Sequence, residues 1–171
     1  MSTIAHASSV IEAPIELVWS IMCDLGNYGK WNPFLTDLKV EGDAPLAPGA
    51  VVFLYSRWMD TPNGAHRTTR GVVTRIVEPA TMAQAGEARH ARLEYRFAEW
   101  MARVRFVLAT REQTLREIAP GRTEYVTHEQ FHGLLNRFIP IKRVQAGFEA
   151  HAIALKQYAE SQYVAQQTRG N

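Results

Sequence analysis

Apolar and polar residues change their spacing several times along the chain, and each change predicts a different element. A β-branched stretch over residues 6–12 predicts a first strand, which Pro14 ends because proline cannot donate a hydrogen bond to a neighbouring strand. From Ile15 to Cys23 the apolar residues recur at helical spacing. Residues 24–34 are rich in turn formers and aromatic side chains. The beginning of the chain therefore predicts a strand followed by a pair of short helices.

The middle of the chain predicts a series of about six strands. Turns are marked by Pro48-Gly49, Asn63-Gly64 and Pro120-Gly121. Because connections of hairpin length join neighbouring strands in opposite directions, we expect an antiparallel sheet. The expected strands cover residues 38–42, 50–58, 66–77, 91–100, 103–118 and 123–133.

The last part of the chain predicts one long helix, from Pro140 to about Val164. Its length of about 25 residues corresponds to about 37 Å, enough to cross a small domain. The polar residues 166–171 are expected to form a flexible C-terminal tail. The apolar residues of this helix follow one another at steps of three or four, as Ile141, Val144, Phe148, Ala152, Leu155 and Ala159.

Together these elements predict one α+β domain over residues 1–165. One face of the antiparallel sheet must be covered, and the long helix is the only predicted element large enough to cover it. A curved sheet wrapped around a single helix leaves a space between the two. That space is filled either by side chains or by a ligand, and the pattern leaves both alternatives open.

Composition and charge narrow the classes of partner. Nineteen basic residues nearly balance seventeen acidic ones, and no basic run is present, so nucleic acid is not expected. Cys23 is the single cysteine, which excludes an intramolecular disulfide and is interpreted as a small buried hydrophobe. The chain has neither a basic, apolar leader nor a stretch of about 18 apolar residues. We therefore expect a cytoplasmic protein without stable membrane insertion, and a homodimer is left open.

The histidines and glycines do not predict a metal or cofactor site. His128 and His132 lie four residues apart on a predicted strand, which separates them by about 13 Å, too far to share one ion. The sequence contains neither a Gly-x-Ser-x-Gly motif nor a glycine-rich phosphate loop. No metal and no cofactor are expected.

Strand alternation gives the candidate site. Tyr125, Thr127, Glu129 and Phe131 share one face, and the aromatic residues suggest that this face meets the helix. Glu129 would then be a buried carboxylate with a raised pKa, suited to general acid/base work, unless it pairs with an arginine or lies at the rim. Two more inward-facing rows are expected on the preceding strands, namely Val104, Phe106, Leu108 and Thr110, and before them Leu93, Tyr95 and Phe97.

Tyr55, Arg57 and Arg70 are a weaker group of candidates. They lie on neighbouring predicted strands, and a tyrosine and an arginine beside a cavity could orient an enolisable polyketide or a ligand carboxylate. Alternatively, the two arginines face outward and form salt bridges.

Several segments resemble the START-like, SRPBCC superfamily, including its polyketide cyclase/dehydrase and lipid-transport branch. They are residues 10–19 (VIEAPIELVW), 24–34 (DLGNYGKWNPF), 128–135 (HEQFHGLL), 147–149 and 154–156. The resemblance covers residues 6–160 and implies a helix-grip fold with a deep, mostly apolar cavity. It also implies a small hydrophobic ligand, because members bind lipids, sterols, polyketides or plant hormones and only some are enzymes. No catalytic residue is carried over.

Three functions follow as hypotheses. The first is a carrier or sensor of a lipid-like or aromatic ligand, the second an aromatase/cyclase-type enzyme, and the third an interaction module with a filled interior. Polar groups converging on the inner wall would favour the enzyme, whereas a wholly apolar wall would favour the carrier. The expected ligand-binding residues are Tyr55, Tyr95, Phe97, Phe106, Leu108, Glu129, Phe131 and Phe148.

Overall fold

The computed structural model describes residues 3–57, 66–80, 88–97, 108–133 and 138–169. Within these residues seven strands form one antiparallel sheet, as the hairpin-length connections predict. They are β1 (Thr3–Ile11), β2 (Leu35–Val40), β3 (Val51–Arg57), β4 (His66–Val77), β5 (His90–Phe97), β6 (Leu108–Ala119) and β7 (Arg122–His132). The helices are α1 (Ile15–Cys23), α2 (Tyr28–Trp31) and α3 (Ile141–Arg169), with 3-10 turns at Leu25–Asn27 and Glu41–Asp43.

The sheet order is β1-β7-β6-β5-β4-β3-β2, so the first strand closes one edge beside the last strand. Strands β2 to β7 follow one another as a meander, each paired with the next along the chain. The predicted turn at Pro120-Gly121 connects β6 to β7, and Gly121 has the positive φ of 72° that a glycine adopts without strain. This arrangement is the helix-grip fold that the sequence predicts.

Helix α3 covers the inner face of the sheet and packs closely on β1. Small side chains at Ala5 and Ala7 allow the close approach, and the Ser9 hydroxyl donates to the Ala152 carbonyl at 3.3 Å. The Gln145 amide exchanges two hydrogen bonds with the backbone of His6, at 2.9 and 2.7 Å. The predicted apolar stripe is confirmed for Val144, Phe148, Ala152, Leu155 and Ala159, which are all buried.

The helix α3 continues to Arg169, past the end predicted at about Val164. Its last turn, residues 166–169, is polar and exposed, so no periodic apolar signal marks it in the sequence. None of the helices in the described part of the chain combines the length and the apolar character that a membrane span requires.

Candidate functional site

The centre of the inner sheet face carries a row of polar side chains. Tyr95 on β5 lies directly opposite Arg111 on β6, and Arg111 lies directly opposite Glu129 on β7. Opposed positions on one face bring Cβ atoms to within about 5 Å of each other. The three side chains are 1%, 2% and 4% exposed. Three adjacent strands therefore place a phenol, a guanidinium and a carboxyl group side by side in the interior.

A second polar row lies next to the first, where Gln113 on β6 is opposite Thr127 on β7. The Arg111 Nε donates to the Thr127 hydroxyl at 3.2 Å, which joins the two rows. The Tyr125 hydroxyl donates to the Gln113 side-chain oxygen at 2.9 Å. Since buried polar groups are stable only when they are hydrogen-bonded, these contacts hold the polar centre in one arrangement.

Arg111 is a cation held against an aromatic ring. Its guanidinium carbon lies 4.2 Å from the centre of the Phe148 ring on α3, a cation–π contact. Burial lowers the pKa of Arg111, but electrostatic interactions with Tyr95, Tyr125 and Glu129 together have a larger effect in the opposite direction. The pKa of Arg111 is therefore raised overall. Among the residues that the structure describes, none hydrogen-bonds the Nη2 nitrogen. Arg111 thus stays charged and keeps an unused donor.

Glu129 is a carboxyl group poised between its two protonation states. Burial raises its pKa to about 7, although the charges of Arg111 and of the exposed Arg67 on β4 work in the opposite direction. One carboxyl oxygen, Oε1, has no hydrogen-bond partner in the described part of the chain. The sequence-based expectation of a buried, pKa-raised carboxylate on the helix-facing side is borne out by this burial and pKa.

Tyr95 supplies a hydroxyl donor beside the same guanidinium. Burial raises the pKa of Tyr95, so its hydroxyl keeps its proton at neutral pH. The charge of Arg111 and the closeness of its guanidinium partly offset this shift, but within the described residues no group meets the hydroxyl oxygen in full hydrogen-bonding geometry. The Tyr95 hydroxyl and the Arg111 Nη2 are therefore two unused donors on adjacent strands.

The helix side of the interior carries a neutral histidine, His151. The Asn32 side-chain oxygen accepts the backbone N–H groups of Phe34 and Leu35 at 3.0 and 2.9 Å, so the Asn32 nitrogen faces His151 and donates to its Nδ1 at 2.8 Å. Burial, and then the charge of Arg111, hold the pKa of His151 well below its usual value. His151 is therefore neutral, with its proton on Nε2.

Four predicted ligand-binding residues lie on the inner side as expected. Tyr95, Glu129, Phe131 and Phe148 are between 1% and 6% exposed. Phe97 follows Tyr95 on the same face and is half-buried. Phe106, with Val104, lies outside the described residues. Whether any of these side chains touches a ligand remains a prediction.

Two predicted positions were wrong. Leu108 is 36% exposed, because Ala109, Arg111 and Gln113 take the inner face of β6. The predicted inner row of this strand was thus displaced by one residue, which exchanges the two faces of a strand.

Tyr55 is the second wrong position. The buried residues of β3 are Val52, Leu54 and Ser56, so Tyr55 faces outward, where the Lys39 amine lies 5.6 Å from its ring centre. Arg70 forms a long surface ion pair with Glu41 at 3.8 Å, which is the alternative that the sequence analysis left open for it.

Four polar residues of this interior were not predicted from the sequence as site residues: Arg111, Gln113, Asn32 and His151. On β6 neither face is continuously apolar, and Leu115, which is 1% exposed, is the one large apolar residue of the inner face within the described strand. Had Leu115 been taken to mark the inner face of β6, the alternation would have placed Arg111 and Gln113 on that face. The fact that His151 falls on the apolar stripe of α3, three residues after Phe148, was the available signal for a buried histidine.

The chain belongs to a family of known proteins. Residues 2–160 match the family described as polyketide cyclase / dehydrase and lipid transport, which confirms the resemblance found in the sequence. Among curated proteins, none matches the chain in sequence.

Solved structures share the fold at low sequence identity. The Zhui aromatase/cyclase from Streptomyces sp. R1128 is 16% identical, with a TM-score of 0.63 and 94% of each chain covered. A START superfamily protein from Mycobacterium smegmatis is also 16% identical, with a TM-score of 0.64 over 92% of this chain and 97% of that one. A point mutant of norcoclaurine synthase from Thalictrum flavum is 11% identical, with a TM-score of 0.64 over 95% and 96%. At these identities the likeness concerns the fold alone.

Proposed function

We propose that this protein binds a small, largely apolar molecule between the sheet and α3 and acts on it as an aromatase/cyclase-type enzyme. The observation that carries the proposal is the row Tyr95–Arg111–Glu129, in which each side chain keeps a buried polar atom that no described residue hydrogen-bonds. A wholly apolar wall would favour a carrier. Unsatisfied buried polar atoms are costly for stability, and they concentrate where a ligand or a reaction needs them.

The chemistry that fits these groups is proton transfer at the carbon next to a ligand carbonyl. Glu129, as its carboxylate, removes a proton from that carbon, and the electrons of the C–H bond form a carbon–carbon double bond. The carbonyl electrons move to oxygen, giving an enolate that Arg111 and the Tyr95 hydroxyl stabilise. A base with a pKa of about 7 is suited to this step near neutral pH.

A deuterium-exchange experiment tests this proposal. The ketone probe 2-acetonaphthone is incubated with the protein in D₂O, and deuterium in its methyl group is followed by NMR. We expect exchange well above the protein-free rate, rising with pH and levelling off above about 7, where Glu129 is ionised. The variant Glu129→Gln should reduce the excess rate by about a hundredfold, within the range of general-base effects.

The matched control is Glu124→Gln. Glu124 lies on the same strand β7, but its side chain is 34% exposed and pairs with Arg116 on the outer face. This variant should keep the wild-type exchange rate. Equal exchange rates for wild type and Glu129→Gln, or none above background, would reject the catalytic proposal.

The second candidate function is a carrier, in which the same interior binds the ligand without chemistry. It is favoured by the apolar residues around the polar row, such as Phe131, Phe148 and Leu93, all nearly fully buried. A carrier would bind 2-acetonaphthone, detected by a rise in melting temperature, without accelerating the exchange of its methyl protons.

A further inference from the structure

The hydrogen-bond and ring contacts of the buried cation Arg111 are with neutral groups in the described part of the chain. They are the Thr127 hydroxyl and the Phe148 ring, and Nη2 has no hydrogen-bond partner among these residues. Among the described residues, Arg111 forms no ion pair. A charge taken out of water is costly unless an opposite charge compensates it. An anion placed next to Arg111 would therefore be stabilised.

Glu129 compensates this charge only in part. It is opposite Arg111 in the sheet, and with a pKa of about 7 it is about half protonated at neutral pH. In the protonated fraction the polar centre carries one net positive charge. The unpartnered Tyr95 hydroxyl adds a second donor beside it.

We propose that the interior binds an organic anion, a carboxylate on an apolar body, through Arg111 and Tyr95, and that Glu129 takes up a proton as the anion binds. The proposal rests on the proposed site and names the class of its ligand. In the binding reaction, one ligand anion, the protein with ionised Glu129 and one proton from solvent combine to give a complex in which Glu129 is protonated. No bond in the ligand is broken.

Among the described titratable groups around the polar centre, Glu129 is the one that can take up a proton near neutral pH when the anion binds. Arg111 on the adjacent strand β6 stays cationic, and the exposed Arg67 on β4 adds a second basic side chain whose charge acts on Glu129. Burial raises the pKa values of the tyrosines around the polar centre, Tyr28, Tyr95 and Tyr125, so these tyrosines stay neutral. Burial lowers the pKa of His151, which is therefore also neutral. A bound anion would raise the pKa of Glu129 further, so affinity should increase as the pH falls towards about 7 and level off below it.

Titration calorimetry tests the proposal with two pairs of probes that differ in charge. Naphthalene-2-carboxylate is compared with naphthalene-2-carboxamide, and octanoate with octanamide. We expect at least one carboxylate to bind about tenfold more tightly than its amide, because a charge-assisted hydrogen bond replaces a neutral one. The same titration in HEPES and in Tris, buffers with different ionisation enthalpies, counts the protons taken up. At about pH 8 the count should be close to one for the carboxylate and zero for the amide.

Variants separate the two parts of the proposal. Glu129→Gln should still bind the carboxylate, with no proton uptake and no dependence on pH. Tyr95→Phe should weaken the carboxylate about tenfold and leave the proton count unchanged. Arg111→Gln should abolish the preference for the carboxylate, and Tyr95→Phe supplies the test should that variant fail to fold.

Three outcomes would overturn the inference: neither carboxylate binds, each binds no better than its amide, or proton uptake persists in Glu129→Gln. They are distinct from failure of the proposed reaction. Carboxylate binding with proton uptake, but without deuterium exchange in the ketone probe, would reject the catalytic proposal alone. Exchange without carboxylate binding would reject the anion inference alone.

Discussion

Asn32 and His151, 119 residues apart in the chain, share a buried hydrogen bond of 2.8 Å that joins the segment after α2 to the middle of α3. Both side chains are almost inaccessible, at 3% and 0% exposed. The His151 ring stacks on Tyr125 of β7, with ring centres 5.8 Å apart and an angle of 13° between planes. One asparagine therefore fixes the protonated nitrogen of a histidine that lies between helix and sheet.

This relationship predicts that Asn32→Leu is strongly destabilising. The leucine has a similar volume but removes the acceptor that Asn32 offers to the N–H groups of Phe34 and Leu35 and the donor that it offers to the His151 Nδ1. We expect a loss of about 3 kcal/mol in the free energy of unfolding, measured by urea denaturation. Asn27→Ala is the control, since the Asn27 side chain is half-buried and its one hydrogen bond to a described residue is a solvent-exposed bond to Asp24, so the effect should stay within about 0.5 kcal/mol. Equal effects of the two substitutions would contradict the buried network.

Glu129 should make the protein less stable as the pH rises. Its pKa is raised from 4.5 to about 7 on folding, so the folded state binds the proton more tightly. The contribution of this pKa shift to the free energy of unfolding is fully present below pH 4.5 and is lost as the pH rises through about 7. A shift of this size corresponds to about 3 kcal/mol. Urea denaturation of wild type and Glu129→Gln over this range measures it.

The difference between the two proteins is the quantity to follow. Glu16, Glu94 and Glu160 have lowered pKa values and change stability in the opposite sense at acidic pH, but both proteins carry them. Subtraction removes their contribution. A stability difference that stays constant from pH 4.5 to above 7 would show that Glu129 is not buried in the way described.

The sequence predicts the fold well because long periodic segments carry it. The ranges of α1 and β4 agree with the prediction, and the α3 stripe from Val144 to Ala159 faces the sheet as expected. That the sheet wraps around the helix was predicted from the family resemblance, because the periodicity of apolar residues alone does not predict it. The C-terminal end of α3 could not be located, because its exposed, polar last turn has no apolar period.

The polar centre could be predicted only in part. Glu129 follows from alternation on β7, where Tyr125 and Phe131 mark the inner face. Arg111 does not, because an arginine in a strand is usually solvent-exposed, and the apolar residues before Leu108 favoured the opposite alternation. Its place opposite Glu129 depends on strand register, which the sequence of a single strand does not determine.

The buried stripe of α3 should hold the sheet and the helix together. Leu155 is fully buried, whereas Ile153, two residues earlier on the same helix, is 56% exposed. We expect Leu155→Ala to lower the free energy of unfolding by about 3 kcal/mol, because it leaves a cavity in the core. Ile153→Ala on the exposed face should change it by less than about 1 kcal/mol. Thermal and urea denaturation of both variants provide the measurement, and similar losses would mean that α3 does not cover the sheet with this face.

Gly147 should not tolerate even one added methyl group. A Cβ at this position would lie 2.5 Å from two carbon atoms of the Phe34 ring, closer than non-bonded atoms approach. Helix propensity alone favours alanine over glycine by about 1 kcal/mol. The clash should outweigh it, because the Phe34 ring is 5% exposed, rests edge-on against Phe148 at 6.1 Å and has little room to move. We therefore expect Gly147→Ala to destabilise the protein by about 2 kcal/mol, as overpacking does.

Two further variants decide whether the contact with Phe34 causes this loss. Gly26→Ala places its Cβ where no atom lies within 4 Å, so this control should be neutral or slightly stabilising. Phe34→Leu removes part of the ring that Gly147→Ala would strike. If the clash is the cause, the double variant should lose less free energy of unfolding than the sum of the two single losses, because residues in contact are not additive. Strict additivity in urea denaturation would place the cost of Gly147→Ala elsewhere in the helix and contradict the close packing of α3 on Phe34.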